Sequence, residues 1–301
     1  MKPPVFDYHD PATVEEALDL LAVHGDDGKV LAGGQSLVPL LNFRLAHPEH
    51  LIDVNNIGEL SGIKREGGRL RIGALTRQSM LERSALVADN WPLLTEALSF
   101  VAHAQIRNRG TVGGSVAHAD PAAELPVAFL ASDADFIVKS KRGERTIPAT
   151  DFFVTHLTTT MEPDELMVAI EVPAPPEGAG YAFTEFARRH GDFALGGAAV
   201  LLAAEGRTCT AAAVGLLAAA PTPLRAAGAE EALIGSELSQ DGAEAAAKRA
   251  VEGIDPTGDI HGSSEYRRGL IEVMVRRAIE KAAGRLDGDA LGFSRNGGGG
   301  R

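Results

Sequence analysis

The chain has 301 residues, 45% of them hydrophobic, and 29 Lys and Arg stand against 41 Asp and Glu for a net charge of −12. That is enough apolar material for one large domain or two modest ones, while the acidic balance, with no basic stripe, excludes a phosphate-tracking nucleic-acid binder. Cys209 is the lone cysteine, which excludes internal disulfides, cysteine-based zinc sites and iron–sulfur clusters, and the longest apolar runs, 198–204 and 211–220, fall far short of a membrane span of roughly 20 residues. Residues 1–30 do not read as a signal peptide, because Asp7, Asp10, Glu15, Glu16 and Asp19 interrupt any apolar core. A cytoplasmic globular protein is the expectation.

The first predicted element is a helix. Pro11 suits an early helical position, Thr13 and Glu16 form a capping box, and Val14, Ala17, Leu18 and Leu21 make one apolar stripe that ends at His24-Gly25. A short strand at 30–32 breaks into Gly33-Gly34-Gln35-Ser36, and a helix is predicted over 37–45 with Ser36 as its N-cap. A strand follows at 51–54, then a hairpin of 63–65 and 70–72 around Glu66-Gly67-Gly68-Arg69. Helical patterns occupy 76–83 and 91–101, a second glycine loop spans 109–115, and a helix is predicted over 122–131. Another hairpin, 136–139 with 146–148, turns at Arg142-Gly143. The proline-dense stretch 173–176 marks a break; beyond it come antiparallel strands at 181–188, 198–204 and 211–217, then alanine-rich helices at 242–251 and 265–283. Strands and helices do not alternate as βαβ units, so a doubly wound sheet is rejected in favour of an α+β chain divided at about residue 176.

The usual signatures of P-loops, zinc proteases, hydrolase elbows and dinucleotide folds are absent. His47 and His50 flank Pro48 in what reads as a surface turn, and the other histidines are scattered, so no metal site is expected. Two glycine loops stand out: Leu31-Ala32-Gly33-Gly34-Gln35-Ser36-Leu37 and Thr111-Val112-Gly113-Gly114-Ser115. Paired glycines let a backbone approach a ligand closely, and successive N–H groups in such a turn form a concavity suited to an anion, with hydroxyls from Ser36, Thr111 and Ser115 as further donors. A pyrophosphate held this way needs no Lys or Arg. Either loop alone also reads as an ordinary turn; two of them, each before a helix, strengthen the ligand reading.

Residues 31–41 and the long segment Gln105-Ile-Arg-Asn-Arg-Gly-Thr-Val-Gly-Gly-Ser-Val-Ala-His-Ala-Asp-Pro-Ala-Ala-Glu-Leu-Pro126 closely resemble the FAD-binding medium subunit of the molybdenum hydroxylases, the carbon-monoxide dehydrogenase and xanthine dehydrogenase family. The resemblance covers about 1–285 and includes 165–173, 189–194 and Tyr266-Arg267-Arg268. It implies an FAD-binding domain of the vanillyl-alcohol oxidase/PCMH type over 1–176, a smaller α+β domain like the carbon-monoxide dehydrogenase flavoprotein C-terminal domain over 177–290, and a flexible tail over 291–301. It also implies a flavin relay with no catalytic residue of its own: a small subunit carrying 2Fe–2S clusters, a large molybdopterin subunit that oxidises substrate, and FAD here passing electrons to an external acceptor. A heterotrimer that pairs into a dimer of trimers is the implied assembly.

Residue by residue, the resemblance places Leu31, Ala32, Gly33, Gly34, Gln35, Ser36 and Leu37 around the pyrophosphate, with Thr111, Gly113, Gly114 and Ser115 closing from the other side. His118 and Asp120 shape the nucleotide site. Glu124 stands where relatives have an FAD-contacting Asp, and equally suits the first turn of a helix. Val101 and Met167 match apolar contacts of the flavin, though both also suit a core. Glu185 occupies a position where several relatives carry Lys, and Phe193 one where they place an aromatic near the flavin ring, or is core. Arg107 and Arg109 are expected to be solvated, a partner-facing role being the alternative. Two other classes compete: a self-contained NADPH-dependent reductase of the same fold, resembling the peptidoglycan-precursor reductases, and a scaffold that has lost its flavin.

Overall fold

The computed structural model describes residues 2–286; the tail expected over 291–301 lies outside the described residues. The first layer is a three-stranded parallel sheet built from β1 (Asp7–His9), β2 (Gly28–Leu31) and β3 (His50–Asp53) in the order β1-β3-β2. Helix α1 (Val14–His24) covers it, burying Ala17, Leu18 and Leu21 in a cluster with Ile52 and Val54. The Thr13 side chain accepts from the Glu16 N–H at 3.2 Å, while Glu16 Oε2 accepts from the Ala12 N–H at 2.7 Å. The box thus reaches back one residue further than expected, and Pro11 lies ahead of the cap rather than inside the helix.

Helix α2 (Leu37–Asn42) stops three residues short of its predicted end, and Ser36 does not cap it, being helical in φ and ψ itself. Its C-terminus is a Schellman turn with Arg44 in the left-handed position (φ 57°): the Arg44 N–H donates to Leu41 O at 3.0 Å and the Leu45 N–H to Leu40 O at 2.8 Å. Glycine is the residue that normally announces such a stop, so nothing in the composition marks it. The histidines, too, are not all scattered. This layer gathers His9, His24 and His50, contrary to expectation.

The second sheet is antiparallel, in the order β4-β5-β10-β6-β7: β4 (Ile63–Glu66), β5 (Arg69–Gly73), β6 (Asp135–Ser140), β7 (Gly143–Pro148) and β10 (Leu166–Val172). Between β5 and β6 runs a chain of helices, α3 (Gln78–Glu82), α4 (Ala85–Asn90), α5 (Pro92–Leu98), α6 (Ala104–Arg107), α7 (Val112–His118) and α8 (Glu124–Ala131). The sequence reading lacks α4, which Ser84 starts by accepting from the Val87 N–H. Between β7 and β10 come α9 (Ala149–Phe152) and the short pair β8 (Phe153–Thr155) and β9 (Thr158–Thr159).

After the prolines a third, antiparallel sheet follows: β11 (Gly180–Phe186), β12 (Gly196–Glu205), β13 (Thr208–Leu217) and β14 (Leu224–Arg225), covered by α10 (Ala227–Leu233), α11 (Gln240–Ala250) and α12 (Ser264–Ala283). Residues 125–131 of α8 are all buried. They place Phe129 in one core with Phe136 and Phe152 of the second layer and with Phe183, Ala199 and Leu217 of the third. Trp91 Nε1 donates to Pro173 O at 2.8 Å and fixes the proline segment to α5. The third layer has its own alanine-rich core, in which Ile271, Val275 and Ala278 of α12 pack on Ala198 and Val200 of β12. Among the described residues, no helix is long and apolar enough to cross a membrane.

Candidate cofactor site

The first glycine loop leaves the end of β2 and enters α2. Asn55, just beyond β3, holds it: Nδ2 donates to Ala32 O at 2.7 Å and to Asp53 Oδ1 at 2.6 Å. Asn55 Oδ1 in turn accepts from Arg77 Nη2 at 2.8 Å, and Arg77 Nη1 donates to Arg109 O at 2.6 Å. Asn55 and Arg77 therefore tie the first loop to the second. Neither belongs to a recognisable motif; the only hint in the sequence is a polar Asn55-Asn56 pair directly after a strand. Gly34 has φ 73°, and Gln35 Nε2 donates to Gly33 O at 3.0 Å. The backbone N–H groups of Gly33, Gly34, Gln35, Ser36 and Leu37 meet no acceptor among the described residues. Such consecutive, uncommitted donors at a turn form an anion site.

The second loop is built differently from its predicted form. Gly113 and Gly114 lie in the first turn of α7, and Thr111 is its N-cap, accepting from the Gly114 N–H at 3.2 Å. The N–H groups of Val112, Gly113 and Ser115 donate to Thr76 O, Ala74 O and Thr111 O at 2.9, 2.9 and 3.1 Å. The expectation that both loops offer backbone donors to a ligand is thus corrected in part: four of the second loop's five, from Val112 to Ser115, are committed to protein, and the Thr111 N–H alone meets no acceptor among the described residues. Glycines of both loops permit close packing. A Cβ on Gly113 would lie 2.6 Å from Ala74 Cβ, and one on Gly33 would lie 2.5 Å from Arg109 O. The hydroxyls of Thr111, which is buried, and half-buried Ser115 remain on this side. A cleft between the two segments is lined by Val30, Ala32, Ala74, Gly113, Gly114 and Met167.

A second feature lies at the start of α8. Asp120 Oδ1 accepts from the Ala122 N–H at 2.8 Å, making the turn that delivers Glu124 as the first residue of the helix. Burial pushes the Glu124 carboxyl up to about 7, with Asp120 adding to the rise and Arg107 opposing it. Glu185, on β11 opposite Gly197, is pushed up to about 8 by burial and by its neighbour Glu124, and its Oε2 is buried without a hydrogen-bond partner. The structure thus brings together two carboxyls that stand far apart in sequence. Burial holds His118, at the end of α7, below the usual imidazole range.

Arg107 is not solvated, contrary to expectation. Its guanidinium forks onto Glu82, with Nε and Nη2 each 2.9 Å from a carboxylate oxygen, and Nη1 donates to Val101 O at 2.7 Å, closing the turn where Ala102 has φ 38°. Arg109 is exposed. Val101 and Met167 are 8% and 4% exposed and belong to the main core, Met167 also lining the cleft. Phe193 is 74% exposed, which removes the core reading for it. The loop that carries it rests on α6 through Gly191, whose φ is 86° and whose Cβ would lie 2.6 Å from the His103 ring.

Comparisons with known proteins agree with this architecture. The chain matches the FAD binding domain in molybdopterin dehydrogenase over residues 4–175 and the CO dehydrogenase flavoprotein C-terminal domain over residues 181–282. It is 50% identical over 284 residues to 6-hydroxypseudooxynicotine dehydrogenase complex subunit alpha of Paenarthrobacter nicotinovorans, covering 94% of this chain and 96% of that protein. It is 41% identical over 282 residues to the carbon monoxide dehydrogenase medium chain of Hydrogenophaga pseudoflava, covering 94% and 98%. The solved carbon monoxide dehydrogenase of Hydrogenophaga pseudoflava that lacks the Mo-pyranopterin moiety superposes with a TM-score of 0.93 at 42% identity, over 95% of this chain and 100% of that one.

Proposed function

Because the chain belongs to the family of FAD-binding subunits of molybdopterin dehydrogenases, with the carbon-monoxide dehydrogenase type of C-terminal domain, we propose that it is the flavin relay of a molybdenum hydroxylase. The observation that carries this reading is the run of five uncommitted N–H groups from Gly33 to Leu37, set against a second segment that glycines hold within van der Waals contact. FAD fits that cradle by its chemistry: the pyrophosphate is a dianion, and the donors are neutral and pre-formed, so an acidic chain holds it without Lys or Arg. In this reading residues 31–37 bind the pyrophosphate, and the Thr111 and Ser115 hydroxyls close on it from α7.

Met167 and Val101 then present apolar surface to the flavin, with Phe193 as an aromatic near its ring, Glu124 and Glu185 at its polar rim and His118 and Asp120 on the nucleotide side. The orphaned, protonated Glu185 carboxyl is a donor kept available for a group not supplied by the chain itself. FAD, when bound, supplies a carrier that takes up two electrons and releases them singly or together. The chain's own part is to bind and orient it, exclude water from the Met167 side, and hold protons on Glu124 and Glu185.

With Cys209 as its only cysteine, the chain cannot ligate iron–sulfur clusters. In this reading, which rests on the family match, electrons come from a small 2Fe–2S subunit, which draws them from a large molybdopterin subunit. The proposed assembly is a heterotrimer that pairs into a dimer of trimers. The reducing substrate is selected in the large subunit, not here. The family match favours this over a self-contained NADPH-dependent reductase. Affinity purification of the full chain with its native partners tests it: FAD, iron and molybdenum should copurify in fixed ratio with two other polypeptides. A flavin-free chain purifying alone from those cells would overturn it.

A further inference from the structure

The first layer contains a cluster that the flavin function does not use. In the parallel sheet His50 pairs in register with Asp7 of β1 and with Gly28 of β2, while His9 pairs with Ile52. His24 is the last residue of α1, which packs on this sheet through Ile52. Gly28 leaves room for it: a Cβ there would lie 3.3 Å from His24 Cβ. The three imidazoles therefore converge from a strand, a helix end and a neighbouring strand. His9 Nε2 is 3.1 Å from His50 Nδ1, and the His24 ring stacks on His50 with centroids 3.6 Å apart at 27°. One nitrogen from each of the three rings lies within 4.8 Å of the others, all half-buried. Asp7 Oδ2 stands 3.9 Å from His50 Nδ1.

We propose that His9, His24 and His50, with Asp7 as an adjoining carboxylate, form a binding site for a divalent transition-metal ion of the zinc class. Neutral imidazole is a favoured ligand of such ions, and a three-histidine set with a carboxylate or water completes a tetrahedron. Zinc–nitrogen bonds of about 2.0–2.1 Å place tetrahedral ligand atoms about 3.3 Å apart. The observed separations, 3.1 Å for one pair and within 4.8 Å for all, bracket that value. Nitrogen ligands disfavour calcium and magnesium, and the lack of thiolate disfavours the softest ions.

The site is independent of the flavin reading. It lies at the start of β2 and β3, whereas the glycine loop and Asn55 follow their opposite ends. A bound ion would staple β1, the N-terminal strand, to α1 and β3.

The test is zinc binding by the full chain, prepared without a polyhistidine tag and measured by equilibrium dialysis, with cobalt(II) absorption as a geometric probe. One zinc per chain is expected, with tetrahedral cobalt bands. His24→Gln and His50→Gln should each weaken binding about tenfold or more, and His261→Gln, at an exposed site in the third layer, should leave it unchanged. Zinc should raise the Tm of the wild type but not of either variant; His9→Gln, on the edge strand, serves if another variant misfolds. Absence of zinc binding in the wild type, or equal binding by wild type and the His24 and His50 variants, overturns the proposal.

Discussion

Replacing Gly33 with Ala perturbs the contact on which the cofactor site depends. The new Cβ would lie 2.5 Å from Arg109 O, 2.8 Å from Gly110 Cα and 3.0 Å from Thr111 N, where ordinary contacts begin at 3.4 Å. All three neighbours are backbone, so no side chain can swing away and the two segments must part by about 1 Å. Overpacking of this kind costs about 1–3 kcal/mol of stability. The larger effect falls on the ligand. If two of the five N–H donors lose their aim, at about 1.5–3 kcal/mol for each hydrogen bond to a charged oxygen, FAD affinity drops roughly 10²- to 10⁴-fold. Titration of flavin-free chain with FAD, followed by quenching of flavin fluorescence, reads the affinity, and thermal unfolding reads the stability. Gly58→Ala is the control, since a Cβ there meets nothing within 4 Å. A Gly33→Ala variant that binds FAD with wild-type affinity would refute the assignment of the pyrophosphate to this loop.

Thr111→Val keeps the shape of the cap but leaves the Gly114 N–H without its acceptor; denaturant unfolding should show a loss of about 1–2 kcal/mol, and Thr111→Ser should restore most of it. Glu185 holds its proton in the folded chain up to about pH 8, whereas its ordinary value is 4.5. Across that window the folded state binds more protons than the unfolded one, so this group's contribution to stability falls as pH rises. Glu185→Gln in the flavin-free chain should therefore match the wild type near pH 4.5 and exceed it at pH 8 by about 2–4 kcal/mol after allowance for solvent screening; parallel stability–pH curves would contradict this. Gly269 is exposed in the interior of α12, and a Cβ there would meet nothing within 4 Å, so Gly269→Ala should raise stability by about 1 kcal/mol in the same assay.

Local chemistry made much of this fold readable. The β4–β5 hairpin follows from Gly67 and Gly68, which adopt φ 55° and 81° in the turn, and the capped stripe of α1 follows from residues within one helix. The features that escaped depend on contacts between distant segments or on an unexpected residue in a special conformation. Arg44 ends α2 in a position that composition assigns to glycine. Gly113 and Gly114 read as a loop because glycine disfavours helices, yet Thr111 and the carbonyls of Ala74 and Thr76 draw them into a helical turn. Arg107 reads as a surface charge because its partner, Glu82, is on another helix. Asn55, Arg77 and the three histidines have no local signature, since only the parallel sheet and its loops bring them to their partners. The cofactor was legible because the residues proposed to cradle it form two contiguous segments, whereas the Glu124–Glu185 pair required the third layer to be folded against α8.

Rapid anaerobic mixing shows whether this chain takes electrons from an iron–sulfur partner onto FAD. The FAD-loaded chain is mixed with its own 2Fe–2S subunit, reduced beforehand and freed of excess reductant, while the flavin's visible band is followed. Bleaching of that band is expected as the clusters reoxidise, in matching electron equivalents. An oxidised flavin spectrum that persists in a stable complex with the reduced subunit would contradict it.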